Sequence, residues 1–509
     1  MVKKMTRVLA LLLAMAMLAA ACGSGTAETV TAGVTAEEAK AQADAAADAA
    51  RADAEASSAA AAEDAANAAR EEAQAEAAAA IEAARAEGEA EGAAAAEAAA
   101  AESMVEAREF EGEIVRITGP ERSAEEWNAI ETAMIPFEEA TGMDVIYTGS
   151  ADWEAEINVQ LAAGNPPDLS IFPQPGKLAD FAREGLVNEL PGDVFDSVSA
   201  NWSDAQMSFG LVDGAYYGVP LKNDLKSIVW HKPSFFEAQG YEYPDTWDGL
   251  RDLTDTMIAD GFTPWCVGIE SGQATGWVFT DWTEDLMLRY HGPDAYDDWV
   301  SNDLKFDSPE VKQVMEEILE LWNREGAVFA GGGSIASTHF ASDPAEGLEN
   351  DDCAMVRQAS FFANFYEGDS DDINVFYFPS IDGVGSPVMG GGNLTGAFND
   401  RDATWAVMDY VGSAEYANAR QTAQREAKDG GVSGFNTANL NADKSLWTPL
   451  GASFVQLLQD AEVFRFDGSD LMPADVGAGE FWTQATAMVN GEVSVDEGAA
   501  AIDAAWPTE

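Results

Sequence analysis

The hydrophobic pattern between residues 112 and 172 predicts strands and helices in regular alternation. Short apolar runs predict three strands, at 113–117, 143–147 and 169–172. Ser123 and Asp152 are N-cap residue types, and they open two predicted helices, over 123–139 and 152–161. A β-α-β-α-β order with short loops predicts an α/β fold with a parallel, doubly wound sheet.

Ligands of such a sheet bind at the carboxyl ends of its strands. This rule selects the loops at 119–127, 149–153 and 172–176. None of the three loops has the G-x-G-x-x-G or G-x-x-x-x-G-K-[ST] pattern, so no nucleotide-binding loop is predicted.

The N-terminus has the pattern of an export signal. Three basic residues within the first seven precede an apolar run over 8–21. The run is too short to cross a hydrocarbon core of about 30 Å. It ends in Leu-Ala-Ala-Ala before Cys22, which resembles a bacterial lipobox. We predict a lipoprotein signal peptide over 1–21 and lipidation of Cys22, with ordinary cleavage nearby as the alternative.

Residues 22–111 have the composition of a spacer. Of the 67 residues over 36–102, 38 are Ala and 17 are Asp or Glu. Ala and Glu favour a helix, but there is no stripe of large apolar residues for that helix to bury. We predict an Ala/Glu-rich stalk, helical or disordered, with an Ala-packed coil as the alternative.

The charge balance narrows the classes of partner. The chain has 27 Lys and Arg against 90 Asp and Glu, a formal net charge of −63. Nucleic acid would be repelled, and adsorption to an anionic membrane through a basic patch is disfavoured. Only three His occur, and no two are close in sequence, which argues against a His-rich metal site. We predict no nucleic-acid partner, no metal and no cofactor.

Aromatic residues begin at Phe110, and a globular unit is predicted over 112–509. Several short sequence motifs in this unit, together with the lipobox, resemble those of the extracellular solute-binding proteins (family 1) of ABC importers. The motifs lie at 162–168, 185–187, 217–220, 243–247 and 472–476. Within that family the chain is most similar to the carbohydrate-binding group with the maltose- and α-glucoside-binding lipoproteins.

The resemblance implies a two-lobed, type II-like periplasmic-binding-protein fold, with a mostly parallel sheet flanked by helices in each lobe. Crossover strands would serve as hinges. The expected first lobe is 112–222, with part of 387–432 returning to it. The expected second lobe is 223–386, with 433–509 returning.

The resemblance also implies what the protein does. It would be a monomeric receptor without enzymatic activity, exported and held to the cell membrane only by its lipid, on the extracellular face or in the periplasm. It would deliver a carbohydrate, an α-glucoside or a small maltose-like oligosaccharide, to the permease subunits of an ABC importer.

Sugar sites need flat aromatic faces for C–H surfaces, and planar amides or carboxylates for hydroxyl groups. A Gly-rich turn leads into Trp277, and Asp281 follows on the same face of a predicted helix. The resemblance places a cleft aromatic here, so we expect Trp277 to stack on the sugar and Asp281 to accept from a hydroxyl group. Gln358 and Phe361 occupy another such stretch. Core packing is the alternative for each.

Seven further residues are candidates for the cleft. Trp153 and Gln174 lie in two of the selected loops and are placed at the cleft by the carboxyl-end rule together with the family layout. Asn223 and Asp224 lie at the expected first hinge, in a polar run that begins at Lys222, with a solvated loop as the alternative. Gly391 lies in a Gly-Gly-Gly-Asn stretch that would let backbone amides approach a ligand without an obstructing Cβ, although it would equally suit a bare turn. Asp470 and Trp482 flank the sequence motif at 472–476. For Trp482, packing in the core is the alternative.

Cys266 and Cys353 are the two cysteines left after Cys22. An exported chain enters an oxidising compartment, where an even number of cysteines favours pairing. We predict a disulfide between them within the second lobe, with two isolated buried thiols as the alternative.

Three other functions stay open at this point. A protein of the same fold could bind an amino acid or a polyamine, although the predicted cleft has few Arg residues for a carboxylate, Arg122 being the nearest. A glycoside hydrolase would need two carboxylates, which are easily found among 90 acidic residues. An adhesive stalk protein would leave the Trp-rich cleft unexplained.

Overall fold

A computed structural model describes residues 110–381, 385–461 and 463–507 of the chain. The predicted signal peptide over 1–21, the lipidation site Cys22 and nearly all of the predicted spacer over 22–111 lie outside the described residues. Among the helices in the described part, none is both long and apolar enough to span a membrane.

The described residues form strands and helices that alternate along most of the chain. The strands are β1 (Ile114–Gly119), β2 (Asp144–Gly149), β3 (Leu169–Phe172), β4 (Leu211–Val212), β5 (Ala215–Tyr216), β6 (Gly218–Leu225), β7 (Ile228–His231), β8 (Trp265–Cys266), β9 (Val328–Phe329), β10 (Met355–Arg357), β11 (Asn374–Tyr377), β12 (Val388–Ala397) and β13 (Phe464–Phe466). The helices are α1 (Ala124–Thr141), α2 (Trp153–Ala162), α3 (Pro175–Arg183), α4 (Gly192–Ser199), α5 (Asp204–Met207), α6 (Pro233–Gln239), α7 (Trp247–Asp260), α8 (Trp277–Val300), α9 (Pro309–Asn323), α10 (Ser342–Glu349), α11 (Asp402–Val411), α12 (Ala414–Ala427), α13 (Pro449–Asp460), α14 (Gly468–Leu471), α15 (Trp482–Val489) and α16 (Val495–Ala504).

The three strands that the hydrophobic pattern predicts lie together in a six-stranded sheet, the sheet of the first lobe. Its order is β13-β12-β3-β1-β2, and β6 pairs with β12. β1 is parallel to both β2 and β3, which confirms the predicted β-α-β-α-β unit. The predicted cap is also present, because the Ser123 hydroxyl accepts from the Glu126 backbone N–H at 3.2 Å.

The second lobe has a five-stranded sheet with the order β11-β7-β10-β8-β9. Here β8 is parallel to β9 and β10, while β7 is antiparallel to β10 and β11. Both sheets are therefore mixed. Their antiparallel pairs involve β6, β7 and β12, the strands next to the points where the chain crosses between lobes.

The first two crossings between the lobes run through paired strands. The chain leaves β6 in the first sheet and passes through Lys226 into β7 of the second sheet. β12 returns and pairs antiparallel with β6, with Gly391 opposite Asp224. The two strands approach so closely that a Cβ on Gly392 would lie 2.4 Å from the backbone carbonyl oxygen of Lys222 in β6. The glycines of β12 therefore serve close packing at the hinge.

Each lobe has its own hydrophobic core, but the chain leaves the first lobe later than the sequence predicts. Ala438 packs in the core of the first lobe, and Phe435 and Trp447 cluster with Ala417 of α12. The expected return to the second lobe at 433 is therefore displaced to beyond Trp447, because the segment after α12 first packs back onto that helix.

Cys266 at the end of β8 and Cys353 just before β10 form a disulfide, with their Cα atoms 5.5 Å apart. Both side chains are buried in the second core. The structure thus pairs the two cysteines as predicted and within one lobe, where the link leaves relative motion of the lobes free.

Candidate functional site

A cavity of about 320 Å³ lies between the two lobes. The loops that follow β1, β2 and β3 all contribute to its wall, as the rule for carboxyl ends of parallel strands predicts. The crossing strands supply charged and amide side chains, and the second lobe supplies most of the aromatic rings. Both lobes therefore face whatever occupies the cavity.

The first lobe contributes acidic and amide side chains. Glu126 lies in the first turn of α1, Glu154 in the first turn of α2, and Gln174 is the residue before α3. Burial raises the pKa of both Glu126 and Glu154 above the ordinary value for Glu. These two carboxyl groups are thereby shifted towards their neutral form, which can donate as well as accept a hydrogen bond.

Glu121, in the loop after β1, is held ionised. Lys222 Nζ and Arg420 Nη2 both donate to its Oε1 atom, at 3.1 and 2.6 Å. Burial alone would raise the pKa of Glu121, but the charges of Arg420 and Lys222 outweigh it and lower that pKa to about 2. Glu121 therefore presents to the cavity a carboxylate whose charge is fixed across the physiological pH range.

Three side chains of the first crossing face the cavity together. Lys222, Asp224 and Lys226 occupy alternate positions on an extended chain and all line the cavity, as a period of two requires. Asn223, predicted as a ligand-binding residue, points to the other face. Its amide oxygen accepts from the Ala438 N–H at 2.8 Å. We therefore correct its role to one of holding the hinge strand on the segment after α12.

The second lobe contributes an aromatic wall. It consists of Trp277, Phe340, Phe361, Phe365 and Trp482. The Trp277 ring centroid lies 5.2 Å from that of Phe340 and 6.0 Å from that of Phe361. Lys226 Nζ lies 5.4 Å from the centroid of the Trp277 ring, and Lys222 Nζ lies 5.6 Å from that of Phe361. These cation–π contacts fix the orientation of both rings.

A buried ion network lies beneath the aromatic wall. Lys226 Nζ donates to Asp281 at 2.9 Å and to Asp467 at 2.5 Å, and Arg357 bridges Asp281 and Asp285. Burial would raise the pKa of Asp467, but Lys226 lowers it to about 2, whereas burial raises that of Asp281 to about 7. Asp281, predicted as a hydroxyl acceptor, is fully buried in this network and does not line the cavity.

One group of carboxylates has the proximity that a cation site requires. Asp281, Glu284 and Asp467 each offer an oxygen atom within 4.8 Å of the others. The ammonium group of Lys226 already bonds two of the three. The positive charge that these carboxylates need is therefore supplied by the chain itself, and a metal ion would have to displace it.

Four buried polar atoms on the cavity wall lack a hydrogen-bond partner among the described residues. They are Glu121 Oε2, Gln174 Oε1, Asp224 Oδ1 and Trp482 Nε1. Such atoms are rare in folded proteins because each costs about 1–3 kcal/mol. Three of the four are acceptors, so the wall is complementary to a ligand that donates several hydrogen bonds.

His339 adds a donor to the wall. Its Nδ1 atom accepts from the backbone N–H groups of Ala341 and Ser342, at 3.2 and 3.0 Å, at the start of α10. The proton of the neutral imidazole is therefore on Nε2. Burial, reinforced by the charge of Arg122, lowers the pKa of His339 below its ordinary value and keeps this tautomer neutral.

The structure brings six of the predicted ligand-binding residues to the cavity wall. They are Gln174, Asp224, Trp277, Phe361, Asp470 and Trp482. Burial raises the pKa of Asp470 well above the ordinary value for Asp, and the neighbouring charge of Asp467 adds to this effect.

The structure places the other five away from the cavity. Besides Asn223 and Asp281, these are Trp153, Gln358 and Gly391. Trp153 is 1 % exposed, and its indole N–H donates to Ser170 at 3.0 Å in the core of the first lobe. The Gln358 amide is used by backbone groups of its own lobe. Gly391 is covered by the side chain of Lys226.

Several lining residues were not identified from the sequence. Lys226 had a usable signal, since it alternates with Lys222 and Asp224 along one extended stretch of chain. Glu121 lies within a loop that was selected, but its charge partner Arg420 is 299 residues away. His339 had no local signal, because its role depends on where α10 begins.

The chain belongs to the bacterial extracellular solute-binding protein family, whose model matches residues 121–436. It is 37 % identical to the osmoprotective compounds-binding protein GgtB of Synechocystis sp. over 70 % of this chain and 85 % of that protein. It is 36 % identical to the alpha-glucosides-binding periplasmic protein AglE of Rhizobium meliloti, over 78 % of this chain and 88 % of that protein.

Solved structures show the same two-lobed fold. The bacterial solute receptor AcbH, described with an exclusive preference for β-D-galactopyranose, superposes with a TM-score of 0.65 and 20 % identity. The match covers 77 % of this chain and 97 % of that receptor. The type II-like two-lobed α/β architecture expected from the sequence is thereby confirmed.

Proposed function

We propose that this protein captures an α-glucoside, or a similarly small oligosaccharide, between its two lobes and delivers it to the permease of an ABC importer. The observation that carries the proposal is an aromatic wall that faces unpaired buried acceptors across the cavity between the lobes. A sugar has both matching surfaces, because its C–H faces are apolar and its hydroxyl groups donate hydrogen bonds. The name of the relative AglE supports the glucoside class.

The charges of the cavity support a neutral ligand over an amino acid. Lys222 is paired with Glu121, and Lys226 is paired with Asp281 and Asp467. Neither ammonium group is left for a ligand carboxylate, so an amino acid would have to rely on Arg122, the other Lys or Arg side chain on the described cavity wall. A polyamine of the alternative class would meet carboxyl groups such as Asp470 and Glu126, whose raised pKa values reduce the negative charge that it needs.

Binding would act through closure of the lobes. Residues of both lobes line the cavity, so a ligand makes its full set of contacts only in the closed state. A ligand that prefers one state shifts the population towards it. The permease would then recognise the closed receptor, and the role of the protein would be recognition without chemical conversion.

Attachment of the receptor to the cell membrane through its N-terminus is part of the same proposal. Lipidation at Cys22 and the spacer would hold a monomeric receptor on the outer side of the cell membrane, within reach of the permease. Mass spectrometry of the N-terminal peptide from the membrane fraction tests this. A lipidated Cys22, with a Cys22→Ser variant released from the membrane, is expected. An unmodified N-terminus in that fraction contradicts it.

Ligand binding is tested by titrating the Trp fluorescence of the purified protein with maltose, trehalose, sucrose, amino acids and polyamines, while glucose release is monitored. We expect a saturable, micromolar response to a glucoside without hydrolysis. Trp277→Ala should abolish most of the response. Trp506→Ala, a partly exposed Trp near the C-terminus, is the matched control. A response only to amino acids or polyamines, or release of glucose, would overturn the sugar-receptor assignment.

A further inference from the structure

The ammonium group of one lysine in the first lobe reaches into the second lobe. Lys428 directly follows α12, and its Nζ atom donates to the carbonyl oxygens of Asn364 and Tyr366, at 3.3 and 2.8 Å. It also pairs with the Glu367 carboxylate at 3.0 Å, and the Lys428 side chain is 10 % exposed. These three acceptors lie in one short stretch of the second lobe, so the Lys428 side chain bonds them only where the two lobes meet.

A side chain of the second lobe makes the reciprocal contact. Asn364 donates to the Glu126 carboxyl group at 3.2 Å. Its amide oxygen accepts from Gln424 at 2.8 Å and from the Gly434 N–H at 2.9 Å. Glu126 and Gln424 lie on α1 and α12 of the first lobe, and Gly434 lies in the segment after α12. Each lobe therefore places one polar side chain among hydrogen-bonding groups of the other, and we call these two side chains, Lys428 and Asn364, the clasp.

The clasp holds a segment that carries two rings of the aromatic wall. This segment begins at Ser360, whose hydroxyl accepts from the Leu225 N–H at 3.1 Å, at the end of β6. Phe361 and Phe365 line the cavity, and Asn364, between them in sequence, does not. The segment is thus bonded to the hinge strand at one end and to the first lobe at the other. The clasp therefore affects a ligand through the position of these rings and of the lobe that carries them.

The clasp can break without leaving a buried, unpaired charge. Glu367 is 71 % exposed, and separation of the lobes would return the Lys428 ammonium group to water. A charge in water carries none of the penalty of a buried unpaired one. The hinge lysines differ, because Lys222 pairs with Glu121 and Lys226 pairs with Asp281, each within one lobe. The bonds of Lys428 therefore favour the state in which the lobes are together.

We propose that Lys428 and Asn364 are positioning residues that hold the two lobes together around a bound glucoside and so set how long it stays bound. The inference rests on the proposed function and deepens it, because it names what regulates release from the same cavity. The clasp forms only when the lobes meet, so it stabilises the complex after the ligand has entered. Its removal should raise the dissociation rate constant and leave the association rate constant unchanged.

Stopped-flow Trp fluorescence of the full-length protein with maltose, trehalose and sucrose measures the two rate constants separately. In Lys428→Ala the dissociation rate constant should rise about tenfold, because two bonds from a charged donor are lost and the exposed ion pair adds little. The association rate constant should stay within about twofold of the wild-type value. A variant that had lost part of its fold would bind fewer ligand molecules per chain, without this selective change in rate.

Gln424→Ala is a milder second variant. It removes one bond to Asn364, whose amide oxygen keeps the bond from the Gly434 N–H. The dissociation rate constant should rise about threefold, in keeping with the loss of one neutral hydrogen bond. The association rate constant should again be unchanged, because Gln424 is 1 % exposed and does not line the cavity.

Lys232→Ala is the matched control. Lys232 donates to the Glu349 carbonyl oxygen at 3.0 Å, pairs with Asp351 at 2.6 Å, and has a side chain that is 12 % exposed. These contacts have the same chemistry as those of Lys428, but they all lie within the second lobe. Both rate constants should therefore keep their wild-type values.

The results separate the clasp from the proposed function. Dissociation from Lys428→Ala that is as slow as from the wild-type protein overturns the clasp and leaves the glucoside receptor intact. An equal rise in Lys232→Ala also overturns it, because loss of a lysine within one lobe would then have the same effect. Slower association with unchanged dissociation contradicts it as well. If none of the three sugars binds to the wild-type protein, the proposed function fails, and the clasp proposal fails with it.

Discussion

Replacing Glu121 with Gln should cost a large part of the folding free energy at neutral pH. The change keeps the shape of the side chain but removes its charge, and it leaves Lys222 and Arg420 buried beside a neutral amide. Lys222 keeps Asp224 at 3.7 Å, whereas the carboxylate of Glu121 is the ion-pair partner of Arg420 in the described structure. Removing one member of a buried ion pair is strongly destabilising.

The magnitude follows from the pKa of Glu121, which folding lowers from 4.5 to about 2. At ~1.4 kcal/mol for each tenfold change in the proton-binding constant, this corresponds to about 3 kcal/mol. Because the pKa is lower in the folded state, this stabilisation is complete above pH 4.5 and is lost as the pH falls towards 2. At pH 3 the remaining stabilisation by the Glu121 carboxylate should be about 1 kcal/mol.

The stabilisation by Glu121 can be measured by urea unfolding of the wild-type protein and of Glu121→Gln. Unfolding is followed by Trp fluorescence at several pH values from 7 down to 3. The gap between the two should be about 3 kcal/mol at pH 7 and should narrow as the pH falls. Glu113→Gln is the control, because its ion pair with Arg401 is solvent-exposed and should contribute under ~1 kcal/mol. The reasoning is refuted if the two unfolding free energies differ by less than ~1 kcal/mol at pH 7, or if their difference does not narrow in acid. Either result would mean that this ion pair does not lower the pKa of Glu121.

Three other predictions follow from the described contacts. Trp277→Ala should weaken glucoside binding by at least ~2 kcal/mol in calorimetry, while a loss below tenfold would show that the ring is not the stacking surface. Replacing Cys266 and Cys353 by Ser should lower the free energy of unfolding by about 2–4 kcal/mol, with glucoside affinity unchanged, since neither residue lines the cavity. The ¹⁵N spectrum of His339 should show the proton on Nε2, with no titration near pH 6.5, the ordinary value from which its pKa is lowered. Its contribution to stability should be complete above that pH and decline below it, and a normal titration would contradict the hydrogen bonds to Nδ1.

The parts of the fold that the sequence predicts are those governed by local pattern. β1, β2 and β3 are short apolar runs, and Ser123 caps the helix between the first two. Their loops reach the cavity because carboxyl ends of parallel strands share one edge. Gln174 was found by this rule together with the family layout.

The site predictions that were wrong concern residues on correctly predicted elements. The sequence does not show which way such a side chain points, or how deep along the helix it lies. Trp153 follows the correct strand, but it opens α2 on the face that packs against the Phe172 ring. Asp281 shares a helix face with Trp277, yet four residues of helix rise about 6 Å. Trp277 reaches the cavity at the first turn, and Asp281 lies one turn deeper, where Lys226 bonds it.

The ion pairs could not be predicted, because their partners are far apart in the chain. Lys226 and Asp467 are separated by 241 residues, and Glu121 and Arg420 by 299. A chain with 90 acidic residues offers too many candidates for each cation. Only the tertiary fold selects among them.

The placement of these pairs bears on how closure is driven. Lys222 lies in the sheet of the first lobe and pairs with Glu121 of the same lobe, whereas Lys226, beyond the end of that strand, pairs with Asp281 on α8 of the second lobe. Each lobe therefore neutralises its own hinge lysine. Opening the cleft need not break either of these two pairs, whereas it would break the ion pair that Lys428, at the end of α12 in the first lobe, makes with Glu367 of the second lobe at 3.0 Å. The free energy of closure therefore comes from the ligand and from the contacts between the lobes, so a ligand that bonds both lobes shifts the receptor towards its closed state.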